Sequence, residues 1–187
     1  MVFDEYEIKY LLQKSDYEKL LEIFSDSDTK TVEQINYYYD TYDQKMRKNN
    51  ITARIREKNG KLTGVIKGHS VGTTHSKETS FRVDGVSNVI SYNGENLYLY
   101  GELYTKRMEI NFCDSITLML DYNKYLDTED YELEIEYEFH DCEDAIYKNR
   151  CLEDILGKIE LVTVSQSKSE RFFKRLNNIN TVKHEGM

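Results

Sequence analysis

The segment YELEIEYEF (131–139) puts a glutamate at every second position and an apolar or aromatic side chain between each pair. A pleated strand turns successive side chains to opposite faces, so a repeat of two is a strand signal, whereas a helix would scatter the same residues around its axis. Glu132, Glu134, Glu136 and Glu138 therefore share one face, against Tyr131, Leu133, Ile135, Tyr137 and Phe139 on the other. The pattern recurs along the chain. Phe3, Glu5, Glu7 and Lys9 alternate with Tyr6, Ile8 and Tyr10; Arg54 and Arg56 alternate with Ala53 and Ile55; Glu78 pairs with Arg82, and Arg107 with Glu109, at even spacing. A chain so patterned is built from strands.

The runs 3–10, 35–41, 51–58, 61–67, 77–83, 102–112, 115–122 and 131–139 read as eight strands in series, joined mostly by short polar turns such as Asn59-Gly60. The fold class expected is all-β dominated, an antiparallel meander or barrel with a few flanking helices. Ser15, with Glu18 three residues on, opens a predicted helix over 15–24; Asp141 opens another over 141–156, and a shorter one covers 168–176. The stretch 84–100 fits a helix, a strand or an excursion equally well. From about Asn177 the polar, aperiodic tail is expected to fray. There is no internal repeat or linker-like segment, so residues 1–187 are expected to form one domain.

A net charge of -9 and a pI near 5.0 argue against nucleic acid or an anionic membrane as partner. No window is apolar enough for a membrane span, and the start MVFDEYEIKY is acidic rather than leader-like, so a soluble, cytoplasmic protein is expected. Cys113, Cys142 and Cys151 have no metal-ligand spacing, and His69, His75, His140 and His184 fall in turns or the tail. The sixteen tyrosines suit strand walls, and Tyr37-Tyr38-Tyr39 reads as wall packing rather than a stacking platform.

The charged faces carry the chemistry. Glutamates in a row repel one another unless cations lie between them, and carboxylates without histidine point to a hard ion, Mg²⁺ or Mn²⁺, rather than zinc. Arginines at alternate positions, with lysines at strand ends, suit a polyphosphate. The bland alternative is a solvated strand face with cross-strand ion pairs, or, for Glu132 to Glu138, an edge strand protected by its charge. Lys168 and Arg171 could dress the first turns of a helix, and for Arg171 that is the preferred reading.

ExExK in Glu5-Tyr6-Glu7-Ile8-Lys9 resembles the signature of the CYTH superfamily, the triphosphate tunnel metalloenzymes. The resemblance continues in order through NYYYDT (36–41), ARIR (53–56), Ile66-Lys67, Arg107, LDYNKYL (120–126), YELEIE (131–136) and SKSERF (167–172). It implies a closed eight-stranded antiparallel β-barrel with basic residues for a triphosphate and acidic residues for one or two Mg²⁺ or Mn²⁺ ions inside. It further implies that Glu5 and Glu7 are metal ligands, joined by Asp121, Glu134 and Glu136, with Glu132 an addition. Lys9, Arg54, Arg56, Lys67, Arg107 and Lys168 would contact phosphate, and Glu78 would be a supporting acid in the catalytic set with Glu5, Glu7 and Lys9. One departure stands out: Thr105 occupies a place that is basic in many members.

The activity the resemblance implies is metal-dependent hydrolysis of inorganic triphosphate or a related linear triphosphate, by a monomer or homodimer. Cyclisation of ATP as in class IV adenylate cyclases, and hydrolysis of thiamine or nucleoside triphosphates, share the same residues. A non-catalytic polyphosphate or nucleotide sensor could dispense with the acids, so their retention favours an enzyme.

Overall fold

The computed structural model describes residues 6–69, 76–113, 116–137, 152–164 and 166–185. Its contacts divide the chain into two compact units, and strands β2 (Thr29–Asp40) and β7 (Glu95–Cys113) contribute to both.

The first unit holds β1 (Tyr6–Leu12), α1 (Lys14–Ile23), the second half of β7, β8 (Ile116–Tyr125), β9 (Thr128–Tyr137) and β10 (Val162–Thr163). The hydrogen-bonded order is β10-β1-β9-β8-β7. β1 runs antiparallel to both neighbours, with Glu7 opposite Glu136, Lys9 opposite Glu134 and Leu11 opposite Glu132. Tyr17, Leu20 and Phe24 fall on one side of α1 and its last turn at helical spacing, where they join Ile110, Leu118, Leu120, Leu133 and Ile135 in the core. The cap differs from expectation. Pairing of Leu12 with Tyr131 keeps β1 intact to its last residue, so Gln13 is the cap and Ser15 already lies inside the helix.

The second unit holds the rest of β2, α2 (Lys45–Lys48), β3 (Ile51–Lys58), β4 (Lys61–His69), β5 (Ser76–Phe81), β6 (Val89–Tyr92), the first half of β7 and α3 (Lys168–Glu185). Its strand order is β7-β2-β3-β4-β5, with β6 also on β7. Two clusters form its core. Tyr38, Leu103, Tyr125, Phe172 and Phe173 make one; Tyr39, Ala53, Ile55 and Leu97 make the other, so adjacent tyrosines serve opposite faces of β2. Where β7 passes Phe172, Gly101 adopts a φ of 148°, and a Cβ there would lie 2.9 Å from the Phe172 ring.

One open reading is resolved in favour of strand, and two further expectations change. The stretch 84–100 contains β6, a turn and the start of β7; the turn is Asn93-Gly94 with φ of 51° and 80°, the same left-handed pair as Asn59-Gly60 at 53° and 70°. Helix α3 continues to Glu185 rather than ending at 176, since neither glycine nor proline interrupts it before Gly186. Finally, the described strands form an open path ending at β10 and β5 instead of the closed eight-stranded barrel. Alternation identifies strands, but closure is set by which distant strands pair, and that is not written in any local period.

Candidate functional site

In the first unit the acidic face of β9 is turned inward. Asp121 and Glu132 have no exposed surface and Glu134 is 5% exposed, while Leu133 and Ile135 on the opposite face are buried too. β9 is paired on both sides, by β1 and β8, so its charges do not protect an edge. Carboxylates taken out of water require compensating charge. Arg107, from β7, supplies it: Nε donates to Asp121 Oδ1 at 2.8 Å and Nη2 to Asp121 Oδ2 at 2.7 Å, a two-pronged grip, and Nη2 also donates to Glu134 Oε2 at 2.6 Å. Burial works against the guanidinium's charge, yet Asp121 and Glu134 outweigh it and push its pKa above the ordinary value. Lys9, reaching across from β1, lies 3.0 Å from Glu7 and 3.7 Å from the other oxygen of Glu134. Glu134 thus joins both cations, and Glu136 is half-buried beside the same edge of β1. Thr105, the departure noted in the sequence, is buried and donates to Asn123 at 2.7 Å, which donates in turn to Asp130 at 2.9 Å.

The described candidate ligands Glu7, Asp121, Glu132, Glu134 and Glu136 offer carboxylate oxygens, the donors that hard divalent cations prefer. Among the described residues no three metal-ligating side chains converge as a group, and Asp121 and Glu134 are gathered by Arg107 instead. Glu5, the partner of Glu7 in the signature, lies outside the described residues, as does Glu138.

The second unit carries the other four basic residues expected to contact phosphate, Arg54, Arg56, Lys67 and Lys168. Arg54 and Arg56 alternate on β3 with fully buried Ala53 and Ile55, and are themselves only partly exposed. Arg54 stands opposite Tyr38 of β2, and Arg56 opposite Asn36, to whose Oδ1 its Nε donates at 3.3 Å. On β4, Lys67 is opposite Glu78 of β5, whose carboxylate is 3.7 Å from Arg54 Nη2. Lys168 opens α3; Phe172 and Phe173 of that helix pack on the Tyr38 ring, with centroids 5.0 and 6.1 Å away.

Two residues here escaped the sequence reading. Arg171, expected to dress a helix surface, is 8% exposed, and Tyr38 is wholly buried. The phenol of Tyr38 and Nε of Arg54 are both buried without a hydrogen-bond partner among the described residues. Burial raises the Tyr38 pKa, while the charges of Arg54, Lys168, Arg56 and Arg171 all act to lower it, so four cations exert their field on one orphaned hydroxyl. Both residues had a signal. Tyr38 shares its strand face with Asn36 and Asp40, two buried polar residues at even spacing, and Arg171 follows Lys168 by one helical turn.

The chain is thus an antiparallel β-protein with buried carboxylates in one unit and a set of arginines and lysines in the other. The CYTH domain profile matches residues 4–167, and the chain belongs to the CYTH domain family. YjbK of Bacillus subtilis (strain 168), provisionally named a triphosphatase, is 25% identical over 146 residues, which are 71% of this chain and 76% of that protein. Two solved structures share the fold. One, from Bacillus halodurans and provisionally named an adenylate cyclase, has a TM-score of 0.65 at 24% identity, covering 90% of this chain and 97% of its own. The other, from Hippeastrum, is provisionally named an adenylyl cyclase with a dominant triphosphatase activity; its TM-score is 0.69 at 22% identity, covering 91% of this chain and 95% of its own.

Proposed function

We propose that this protein hydrolyses inorganic triphosphate, or a related linear triphosphate, with Mg²⁺ or Mn²⁺. The observation that carries the reading is the pair of orphaned donors, Tyr38 Oη and Arg54 Nε, buried opposite each other on β2 and β3 and within the electrostatic influence of Lys168, Arg56 and Arg171. A buried donor without an acceptor costs about 1–3 kcal/mol, and an arrangement that leaves two of them beside four cations suits a multiply charged anion. The provisional name of YjbK agrees with this choice.

In this reading Arg54, Arg56, Lys67 and Lys168, with the Tyr38 hydroxyl, bind and orient the phosphoryl oxygens. Arg107 pairs with Asp121 and Glu134 and brings positive charge to that carboxylate set, and Lys9 does the same beside Glu7. A divalent ion held by Glu5, Glu7, Glu132, Glu134, Glu136 and Asp121, or by a subset of them, would supply Lewis-acid polarisation of a phosphoryl oxygen. Glu7, or Glu78 in a supporting role, orients the attacking water and accepts its proton. Phosphoryl transfer depends chiefly on positioning and electrostatics, so no covalent nucleophile is required.

Release of phosphate from triphosphate, pyrophosphate, ATP and thiamine triphosphate, with Mg²⁺ and with Mn²⁺, tests the proposal alongside an assay for cyclic AMP. The expected result is fastest release from a linear triphosphate, with a fall of roughly 100-fold or more in Glu7→Gln at unchanged melting temperature. Full activity in that variant, or cyclic AMP as main product, overturns it.

A further inference from the structure

Strand β2 sends three polar side chains to one face at even spacing, Asn36, Tyr38 and Asp40, and each is at most 1% exposed. Buried polar groups are ordinarily satisfied, so each asks for a partner. Asp40 finds its own in the backbone: Oδ1 accepts from the N–H groups of Thr41 and Met46 at 2.7 and 2.9 Å, and Oδ2 from that of Arg47 at 3.1 Å, which shapes the turn into α2. Tyr38 carries the orphaned hydroxyl. Asn36 does something else. It stands directly opposite Arg56 in the β2–β3 ladder, and its Oδ1 accepts from Arg56 Nε at 3.3 Å.

The sense of that bond follows from chemistry. A guanidinium has donors and no acceptor, so the amide must present its oxygen and turn its NH₂ away. The acceptor is also neutral. It fixes one edge of the guanidinium without cancelling the charge, whereas a carboxylate in its place would neutralise the arginine. Arg54, two residues along the same strand face, is drawn at the other end: its Nη2 lies 3.7 Å from Glu78 Oε2, and its Nε has no hydrogen-bond partner among the described residues. Neighbouring arginines are thus engaged at different edges, Arg54 at Nη2 and Arg56 at Nε. A long side chain held in this way has less rotamer freedom left to lose when an anion arrives.

We propose that Asn36 is a positioning residue, which holds Arg56 by Nε so that the Nη end of the guanidinium meets a phosphoryl oxygen with its charge undiminished. This rests on the triphosphate reading above, in which Arg56 contacts phosphate.

A double-mutant cycle tests it, read by calorimetric titration of the full chain with inorganic triphosphate, Ca²⁺ replacing the catalytic ion, and by thermal melts without ligand. Asn36→Leu removes the acceptor at nearly constant size, and affinity should fall about tenfold. In the Arg56→Ala background the same substitution should change affinity by less than about twofold, because no guanidinium is left to position. Asn36→Ala, which forces no bulk into the interior, should give the same cycle and serves where the leucine variant does not fold. Equal losses in both backgrounds, or a lower melting temperature with affinity unchanged, overturn the positioning role while triphosphate binding stands. A wild type that binds no triphosphate overturns this role together with the function proposed above.

Discussion

Tyr38 and Arg54 face each other across β2 and β3, and each buries a polar atom that finds no hydrogen-bond partner among the described residues. Neighbours of this kind spend folding free energy on readiness to bind. Their cost in the free protein and their value in the complex can be separated by substitution.

Tyr38→Phe removes only the hydroxyl and keeps the ring that packs on Phe172 and Phe173. The free protein should be as stable as the parent or more so, by up to about 1 kcal/mol, because an unpaired buried group is gone. Triphosphate affinity should drop about tenfold. Thermal melts without ligand and a binding titration read the two effects; a lower melting temperature with unchanged affinity would make the hydroxyl structural.

Arg107→Met leaves Asp121 and Glu134 buried without their shared cation. Breaking a buried pair from one side costs about 3–5 kcal/mol, so the variant should unfold at markedly lower denaturant. Adding Asp121→Asn to Arg107→Met should restore part of the loss, since one uncompensated charge is removed. A double variant no more stable than the single one would place the damage in packing.

Arg171→Ala should weaken triphosphate binding about tenfold, comparably to Arg54→Ala, because both charges act on the Tyr38 hydroxyl. Arg175, on the same helix, provides the control. It forms an exposed two-pronged pair with Asp127, with contacts of 2.8 and 2.6 Å, and its loss should change binding little and stability by about 0–1 kcal/mol. A titration in which Arg175 mattered more than Arg171 would contradict the assignment of the cationic cluster.

Collected cations and buried carboxylates both gain from a ligand that neutralises them. Triphosphate with Ca²⁺ at about 100 times its dissociation constant should stabilise the fold by about 2.7 kcal/mol, or roughly 5–11 °C in melting temperature. Sodium chloride at equal ionic strength should not. Equal shifts from the two would mean that bulk screening of surface charge accounts for the whole effect.

Much of this was readable from the residues. The β3–β4 hairpin follows from Asn59-Gly60 between two alternating runs, and β3 occupies 51–58 as its pattern requires. Glu7, Lys9 and Glu134 come together because one-to-one alternation on β1 and β9 fixes which side chains can meet once the register is set. The pattern could not say whether a charged face meets water or the interior; Glu132 and Lys61 both stand in alternating runs, yet the first is buried and the second exposed. It also hid Tyr38 within a run of three tyrosines, where any one of them could have been the inward member. Closure of the sheet and the burial of Arg171 depend on contacts between residues far apart in the chain, and local periodicity carries no record of those.

Gly101 ties α3 to β7 through the absence of an atom. Any other residue there would need both a left-handed φ of 148° and the space taken by the Phe172 ring, whereas Gly85 has nothing within 4 Å of the direction in which a side chain would grow. The two glycines look alike in sequence and differ entirely in mutational tolerance: position 85 has open space, while a side chain at 101 meets the ring at position 172 and keeps the strain of its φ even if that ring shrinks. The helix that carries Lys168 and Arg171 is therefore held by an epistatic pair, and its evolution is constrained at a site that touches no substrate.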